Sequence, residues 1–244
     1  MAPLLAVLSV LGALVTPPTP PASRLEGSAA TTSLQPAASR VALRDRVISS
    51  LPTAGAAPLF VDGELRAAVE ELEGLEFVPA TAEFLRAGTT GSWHVCAFSE
   101  PEHRSSIEAF EMRVAGVDVV RVEQVVAADG STRTSASFRV DGDGSTLDGL
   151  YEVEGTLSLT PMIDSLDMRT SAERRLRLPA LPASMDVPQM MQTLHARLCT
   201  EFRAEDGVRV GQQTTYLDDR LRITRCTTRE LRGACTVYLR RDAS

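Results

Sequence analysis

The chain has 244 residues, enough for one domain and a leader. Its hydrophobic content of 43% and charged content of 23% are ordinary for a globular protein. A formal net charge of −7 speaks against a nucleic-acid-binding surface, and all 25 basic residues are Arg, which excludes lysine Schiff-base and general-base chemistry.

Residues 1–40 differ in character from the rest. Leu4 to Val15 is an apolar run interrupted by Ser9 and Gly12. A helix of that length spans roughly 18 Å, short of the ~30 Å hydrocarbon core, so it reads as the apolar region of a signal peptide. The prolines from Pro17 to Pro21 end it. The Ala, Ser and Thr that follow have the composition of a transit peptide. Plain secretion with a linker after cleavage is the alternative. The expected division is a cleaved leader over 1–40 and one domain over 41–244.

In the body, Val41, Leu43, Val47, Ile48 and Leu51 have helical spacing, ended by Pro52. Asp62 is the expected N-cap of a second helix, with Leu65, Val69 and Leu72 inward and Gly74 at its end. Glu70, Glu71 and Glu73 are expected on its solvated face.

From Gly88 onward the period becomes two. Ser92 to Phe98 alternates Trp93, Val95 and Ala97 with His94, Cys96 and Phe98, both sets apolar enough for a strand covered on both sides. Further strands are expected over Phe110–Val114, Val117–Ala127, Thr132–Val140, Gly149–Leu159, Met162–Met168 and Arg174–Leu178. Pro188 to Phe202 reads as a helix with Met191, Leu194, Leu198 and Phe202 inward. About eight or nine strands fit between Gly88 and Arg241. With Asp-Gly turn chemistry and no strand–helix alternation, they predict a mainly β fold. That fold is an antiparallel β-barrel with helices ahead of it and one helix inserted before the last strands.

The last strands are the most informative. Val208, Val210, Gln212, Thr214 and Tyr216 alternate with Arg209, Gly211, Gln213, Thr215 and Leu217. Asp218 and Asp219 form a corner, after which Leu221 and Ile223 take one face and Arg220, Arg222 and Thr224 the other. The cluster of Tyr216, Asp218, Asp219 and Arg222 supports two readings: a polar group that orients a ligand at a barrel mouth, or an Arg–Asp pair that fixes the corner.

Other motifs point to structure. Asp141-Gly142-Asp143-Gly144 suggests a calcium loop, but Leu147 and Leu150 sit where further ligands would be needed, and it is expected to be a tight turn. Four cysteines without a Cys-x-x-Cys pair, and three histidines, give no zinc spacing. Cys226 and Cys235 flank the last hairpin. They could face each other if Leu221–Ile223 pairs with Val237–Leu239, and two free thiols are the expectation. His94 and Cys96 lie too loosely for a nucleophile pair, and His195 is expected to be structural. No cofactor or metal is expected.

From Val41 to Arg241 the chain resembles the plastid lipid-associated proteins, or fibrillins. The resemblance rests on four blocks: Arg44–Leu51, Gly91-Ser92-Trp93 and its strand, Arg121–Val126, and Tyr216-Leu217-Asp218 followed by Leu221-Arg222-Ile223. An Asn usual in the family after the third block is absent, and the Arg-Gly of its last turn is Arg225-Cys226 here. The resemblance implies a lipocalin-like barrel in a plastid, associated with thylakoids or plastoglobules. It further implies a non-catalytic protein handling quinones, carotenoids or lipids. Trp93, Tyr151, Tyr216, Asp218 and Arg222 are the candidates for lining or rim of the ligand site. Two alternatives stand beside it: a lipocalin-like chromophore lyase using Cys96 or His94, and a module that docks on a photosynthetic or prenyl-lipid-synthesising complex.

Overall fold

The computed structural model describes residues 37–53, 55–75, 81–99, 117–142, 145–160, 165–178, 209–228 and 232–241, with positions 188, 190 and 194. The chain divides into two units, Met1–Gln35 and Pro36–Ser244, and every element below belongs to the second.

Among the described residues three continuous helices stand: α1 (Ala37–Ser50), α2 (Gly63–Gly74) and α3 (Ala82–Thr89). Helix α1 begins four residues before Val41 and so takes in residues assigned above to the leader. It buries Val47 and half-buries Leu43, Ile48 and Leu51, whereas Val41 is exposed. Helix α2 buries Leu65, Ala68, Val69 and Leu72, as its spacing predicts. Asp62 occupies its N-cap position in extended backbone but makes no side-chain cap hydrogen bond. Helix α3 is absent from the sequence reading. Its N-cap is Thr81, whose hydroxyl accepts from the Phe84 N–H at 3.2 Å.

The strands are β1 (Leu59–Phe60), β2 (Gly91–Phe98), β3 (Val117–Val126), β4 (Ser131–Gly142), β5 (Ser145–Thr160), β6 (Ser165–Arg177), β7 (Arg209–Leu217), β8 (Leu221–Cys226) and β9 (Cys235–Arg240). The fold is mainly antiparallel β, in one large sheet ordered as the chain runs. Among the described residues only β1 joins in parallel, through Leu59 opposite Ala97 and Phe60 opposite Phe98. Strand β2 pairs with β9 along one edge and divides the other: Gly91–His94 pair with β3, and Ala97–Phe98 with β1. The expected strand over Phe110–Val114 lies outside the described residues. The two strands expected around Met162–Met168 and Arg174–Leu178 are one, β6.

Turn chemistry sets the register. Between β3 and β4, the Asp129 carboxylate accepts from the Ser131 N–H at 2.8 Å and hydroxyl at 2.7 Å, and Gly130 takes a positive φ of 86°. Gly142 stands opposite Ser145, and the last two residues of the expected turn over Asp141–Gly144 lie outside the described residues.

Both faces of the sheet carry cores. On β2, β7, β8 and β9, one face lies under α1 and α2, with Ala97, Tyr216, Leu221, Ile223, Cys235 and Val237 meeting Val47, Leu65, Val69 and Leu72. The opposite, far face gathers Trp93, Val95, Val122, Phe138, Tyr151, Leu217 and Tyr238 with Leu85 of α3. Met190 and Leu194, both helical positions, are buried in the same cluster. Met191, Leu198 and Phe202 lie outside the described residues. Strand β2 is buried from Trp93 to Phe98, as two covered faces require.

Strict alternation fails at several register shifts, two of which bear on the candidate residues. A register shift between Val95 and Ala97 turns Ala97 to the helix-covered face, away from Trp93 and Val95. A second, between Thr214 and Tyr216, puts Tyr216 under the helices and Leu217 in the far-face core. Tyr216 therefore does not share a face with Gln212 and Thr214, as a continuous two-residue period predicts.

The face Glu70-Glu71-Glu73 is not uniformly solvated. Glu73 turns to the sheet, where the Arg225 guanidinium donates to both its oxygens, at 2.9 Å from Nε and 2.6 Å from Nη2. Thr215 Oγ1 donates to the same carboxylate. This fork ties α2 to β7 and β8 where the side chains are largely buried. Glu73→Ala is expected to leave the Arg225 charge half-buried and to lower stability by about 2 kcal/mol. Urea unfolding measures it, and a loss no larger than that of Glu71→Ala, whose exposed pair with Arg46 spans 3.3 Å, would refute this role.

Candidate functional site

The five candidate residues separate into two groups. Trp93, Tyr151 and Arg222 lie on the far face, and Tyr216 and Asp218 do not. Asp218 is the corner residue of the β7–β8 connection. Its Oδ1 accepts from the N–H groups of Arg220 and Leu221 at 2.8 and 2.7 Å, and its Oδ2 from the Tyr216 hydroxyl at 2.8 Å. Arg44 of α1 lies 3.6 Å from the same carboxylate, and the Arg40 guanidinium sits 5.1 Å from the Tyr216 ring centre. Burial, then the Asp218 partner, pushes the Tyr216 phenol up to about 12. Asp218 and Tyr216 fix the turn and seat α1, but the expected Arg–Asp pair with Arg222 does not form.

Arg222 faces the other way. Leu221 and Ile223 go under the helices, so alternation sends Arg222 to the far face, where its side chain is 2% exposed. Its guanidinium carbon lies 3.8 Å from the Tyr238 ring centre and 5.0 Å from that of Trp93. Its Nη2 donates to Gln124 Oε1, and Gln124 Nε2 donates to Thr134 Oγ1 at 3.1 Å. A buried cation is tolerable only with such partners, because its lost hydration is otherwise uncompensated.

Trp93 is fixed from the other side by the end of α3. Its indole N–H donates to the Thr89 carbonyl at 2.7 Å, and Arg240 donates to the carbonyls of Thr90, at 3.0 Å, and Gly88. The last carbonyls of α3, left without helical partners, thus receive an indole and a cation. The Arg240 guanidinium lies 4.4 Å from the Trp93 ring centre. A cavity of about 50 Å³ opens beside this helix end, lined by Arg86, Thr89, Val126 and Leu157 among others.

The far face is chemically mixed, which sequence reasoning missed. Strands β3 to β5 present Val117, Val122, Ala136, Phe138, Val140, Tyr151 and Val153, all buried, with the buried polar Gln124 and Thr134 among them. Strands β7 to β9 present a polar grid. Gln212 stands opposite Cys226; Thr214, Thr224 and Thr236 form a cross-strand row; Leu217, Arg222 and Tyr238 form the next. Gln212, Thr224 and Thr236 are buried, and the Thr214 hydroxyl oxygen is buried too. Alternation of Thr214 and Thr224 with apolar residues reads as a solvated face. Here the apolar face is spent on the helices and the threonine face is also enclosed.

The thiols are not disposed for nucleophilic work. Burial pushes Cys96 up to about 11, so that about one in ten thousand would be ionised at pH 7, and its Sγ donates to the His94 carbonyl at 3.6 Å. Cys226 and Cys235 are not joined in a disulfide, although Leu221 does pair with Leu239 and Ile223 with Val237. Cys235 stands opposite Arg225, so Cys226, one residue on, points to the other face. Among the described residues no group of His, Cys, Asp and Glu could hold a metal ion, and no helix is long and apolar enough to cross a membrane.

His94 sits 3.4 Å from Glu123, which also lies near Arg121 and Arg241. Burial lowers the pKa of His94, with Glu123 opposing. The unfolded chain therefore takes up this proton at higher pH than the folded one. Its contribution to stability is full above the ordinary histidine pKa of ~6.5 and is lost as pH falls from there through the folded pKa. His94→Gln is expected to flatten the decline of the melting temperature between pH 7 and pH 5. Parallel declines in the two proteins would contradict the sign.

No family model and no curated protein matches the chain.

Proposed function

We propose that the protein is a lipocalin-like barrel of the plastid lipid-associated type that carries an apolar small molecule without catalysing its reaction. The pairing of β2 with both β3 and β9, in a sheet otherwise ordered as the chain runs, supports a sheet rolled on itself. The far face is then the interior, and eight strands, β2 to β9, leave room for side chains or one small ligand. The observation that carries the reading is the mixed character of that face: an apolar stretch around Val122, Phe138, Tyr151 and Val153 beside a polar wall on β7–β9 whose Arg222 reaches Gln124 and, through it, Thr134. An elongated apolar molecule with a polar end, such as a prenylquinone, carotenoid or lipid, would be oriented by such a face.

The fibrillin resemblance and the character of residues 1–40 support delivery to a plastid, with the mature domain held peripherally at thylakoids or plastoglobules. The test is native mass spectrometry and organic extraction of protein purified from plastids or lipid-supplemented cells. A bound prenyl-lipid, pigment or acyl lipid at one per chain is expected. Protein that emerges empty and takes up none of these classes would overturn the reading. A reporter fused after residue 40 is expected in plastids, and its secretion would overturn the localisation.

A further inference from the structure

Two donors on the polar wall lack partners. Gln212 Nε2 and Thr214 Oγ1 are both buried, and neither has a hydrogen-bond partner. They lie two residues apart on one face of β7, before the bulge that turns Tyr216 away. The Gln212 side chain is 4% exposed, so bulk water does not serve it. Beside Thr214 run Thr224 on β8 and Thr236 on β9, opposite one another in register and both buried. Cross-strand neighbours of this kind bring their Cβ atoms to roughly 5 Å, so the three hydroxyls form a short row. Arg222, one step along the same face of β8, adds positive potential. Buried polar groups are almost always paired in native proteins, and two adjacent orphans on one wall point to an acceptor supplied from outside the chain.

We infer that Gln212, Thr214, Thr224 and Thr236 form a head-group subsite. It takes the acceptor oxygen, carboxylate or carbonyl, of a single-chain amphiphile. This rests on the interior-carrier reading above and adds to it the site and chemistry of the head. A pure hydrocarbon would leave both donors unpaired and is discriminated against for that reason. An amide N–H and a hydroxyl serve a neutral carbonyl as well as a carboxylate. The cation on the neighbouring strand position favours the carboxylate.

The chain has a single tryptophan, Trp93, on the same face, so its emission reports the interior. Full-length protein is titrated with decanoic acid, 2-undecanone and undecane. The acid and the ketone are expected to bind about tenfold or more tighter than undecane, the order of one or two neutral hydrogen bonds. In Thr214→Val with Gln212→Leu, the preference is expected to shrink to within about twofold while undecane binding is kept. That variant removes two unpaired buried groups, so its melting temperature should not fall, which separates lost recognition from lost folding. Equal affinity for the three probes, or a preference unchanged in the variant, overturns the subsite and leaves the carrier reading standing. No binding of any probe overturns both.

Discussion

Replacing Arg222 with Met is expected to destabilise the protein by about 3 kcal/mol. The Tyr238 and Trp93 rings flank a desolvated guanidinium, an arrangement worth ~2 kcal/mol when water is excluded. Gln124 Oε1 loses its donor at the same time, and an orphaned buried acceptor costs about 1–3 kcal/mol. Relief of the cation's desolvation offsets part of the sum, since Met is close in volume and apolar. For a domain of this size such a loss lowers the melting temperature by roughly 6–12 °C. Gln124→Leu should cost less in the Arg222→Met background than alone, because the amide has already lost its Arg222 donor there. Chemical unfolding of the two single variants and the double measures this coupling. Strict additivity would show that Arg222 and Gln124 do not act on each other.

The second large effect is expected at Gly149. It lies on β5 opposite Phe138 of β4, and a Cβ there would fall within the van der Waals envelope of the Phe138 ring. The aromatic ring thus covers a residue with no side chain, a pairing that fills the sheet without strain. Gly149→Val must drive the ring off β5 and into the far-face core, at about 3 kcal/mol, the upper end of overpacking costs. Phe138→Ala in the same background should relieve the clash, so the double variant should lose less than the sum of the singles. Thermal melts check both. A Gly149→Val protein as stable as wild type would mean that the ring has another place to go. Gly88 offers a milder contrast, because a Cβ there meets the Leu217 side chain alone, closest at the Cδ2 methyl, 2.7 Å, the far end of a flexible side chain.

Much of the fold was legible because burial followed a simple period. The α2 stripe of Leu65, Val69 and Leu72, the Asp129-Gly130 turn and the opposed faces of β8 all read directly from spacing. Bulges were not legible. Val95 to Ala97 and Thr214 to Tyr216 look continuous in sequence, and only pairing with a neighbouring strand shows where an extra residue breaks the alternation. Helix α3 is eight residues long, too short for its period to stand out, and its signal is the Thr81 cap alone. Glu73 looked like its neighbours Glu70 and Glu71. What sets it apart is Arg225, 152 residues away.

The candidate site was legible in part for a related reason. Trp93, Tyr151 and Arg222 come together because all three fall on the face that the helices leave to the sheet. Tyr216 and Asp218 are adjacent to Arg222 in sequence, yet the corner they build belongs to the other side. The threonine row was invisible for a physical reason: a strand alternating polar with apolar residues normally has one wet face. Here the apolar side chains of β8 meet α1 and α2, while Thr224 and Arg222 face a second enclosed region. Polar residues kept out of water without full pairing are what a ligand-orienting wall requires.

The most direct measurement is contact quenching of Trp93 by decanoic acid brominated at mid-chain, since bromine quenches tryptophan only near contact. If the rolled sheet takes the ligand in its interior, quenching should saturate at one molecule per chain and be reversed by unlabelled decanoic acid. A brominated acid that the protein retains while Trp93 emission stays unchanged would place the ligand elsewhere and contradict the interior as the seat of function.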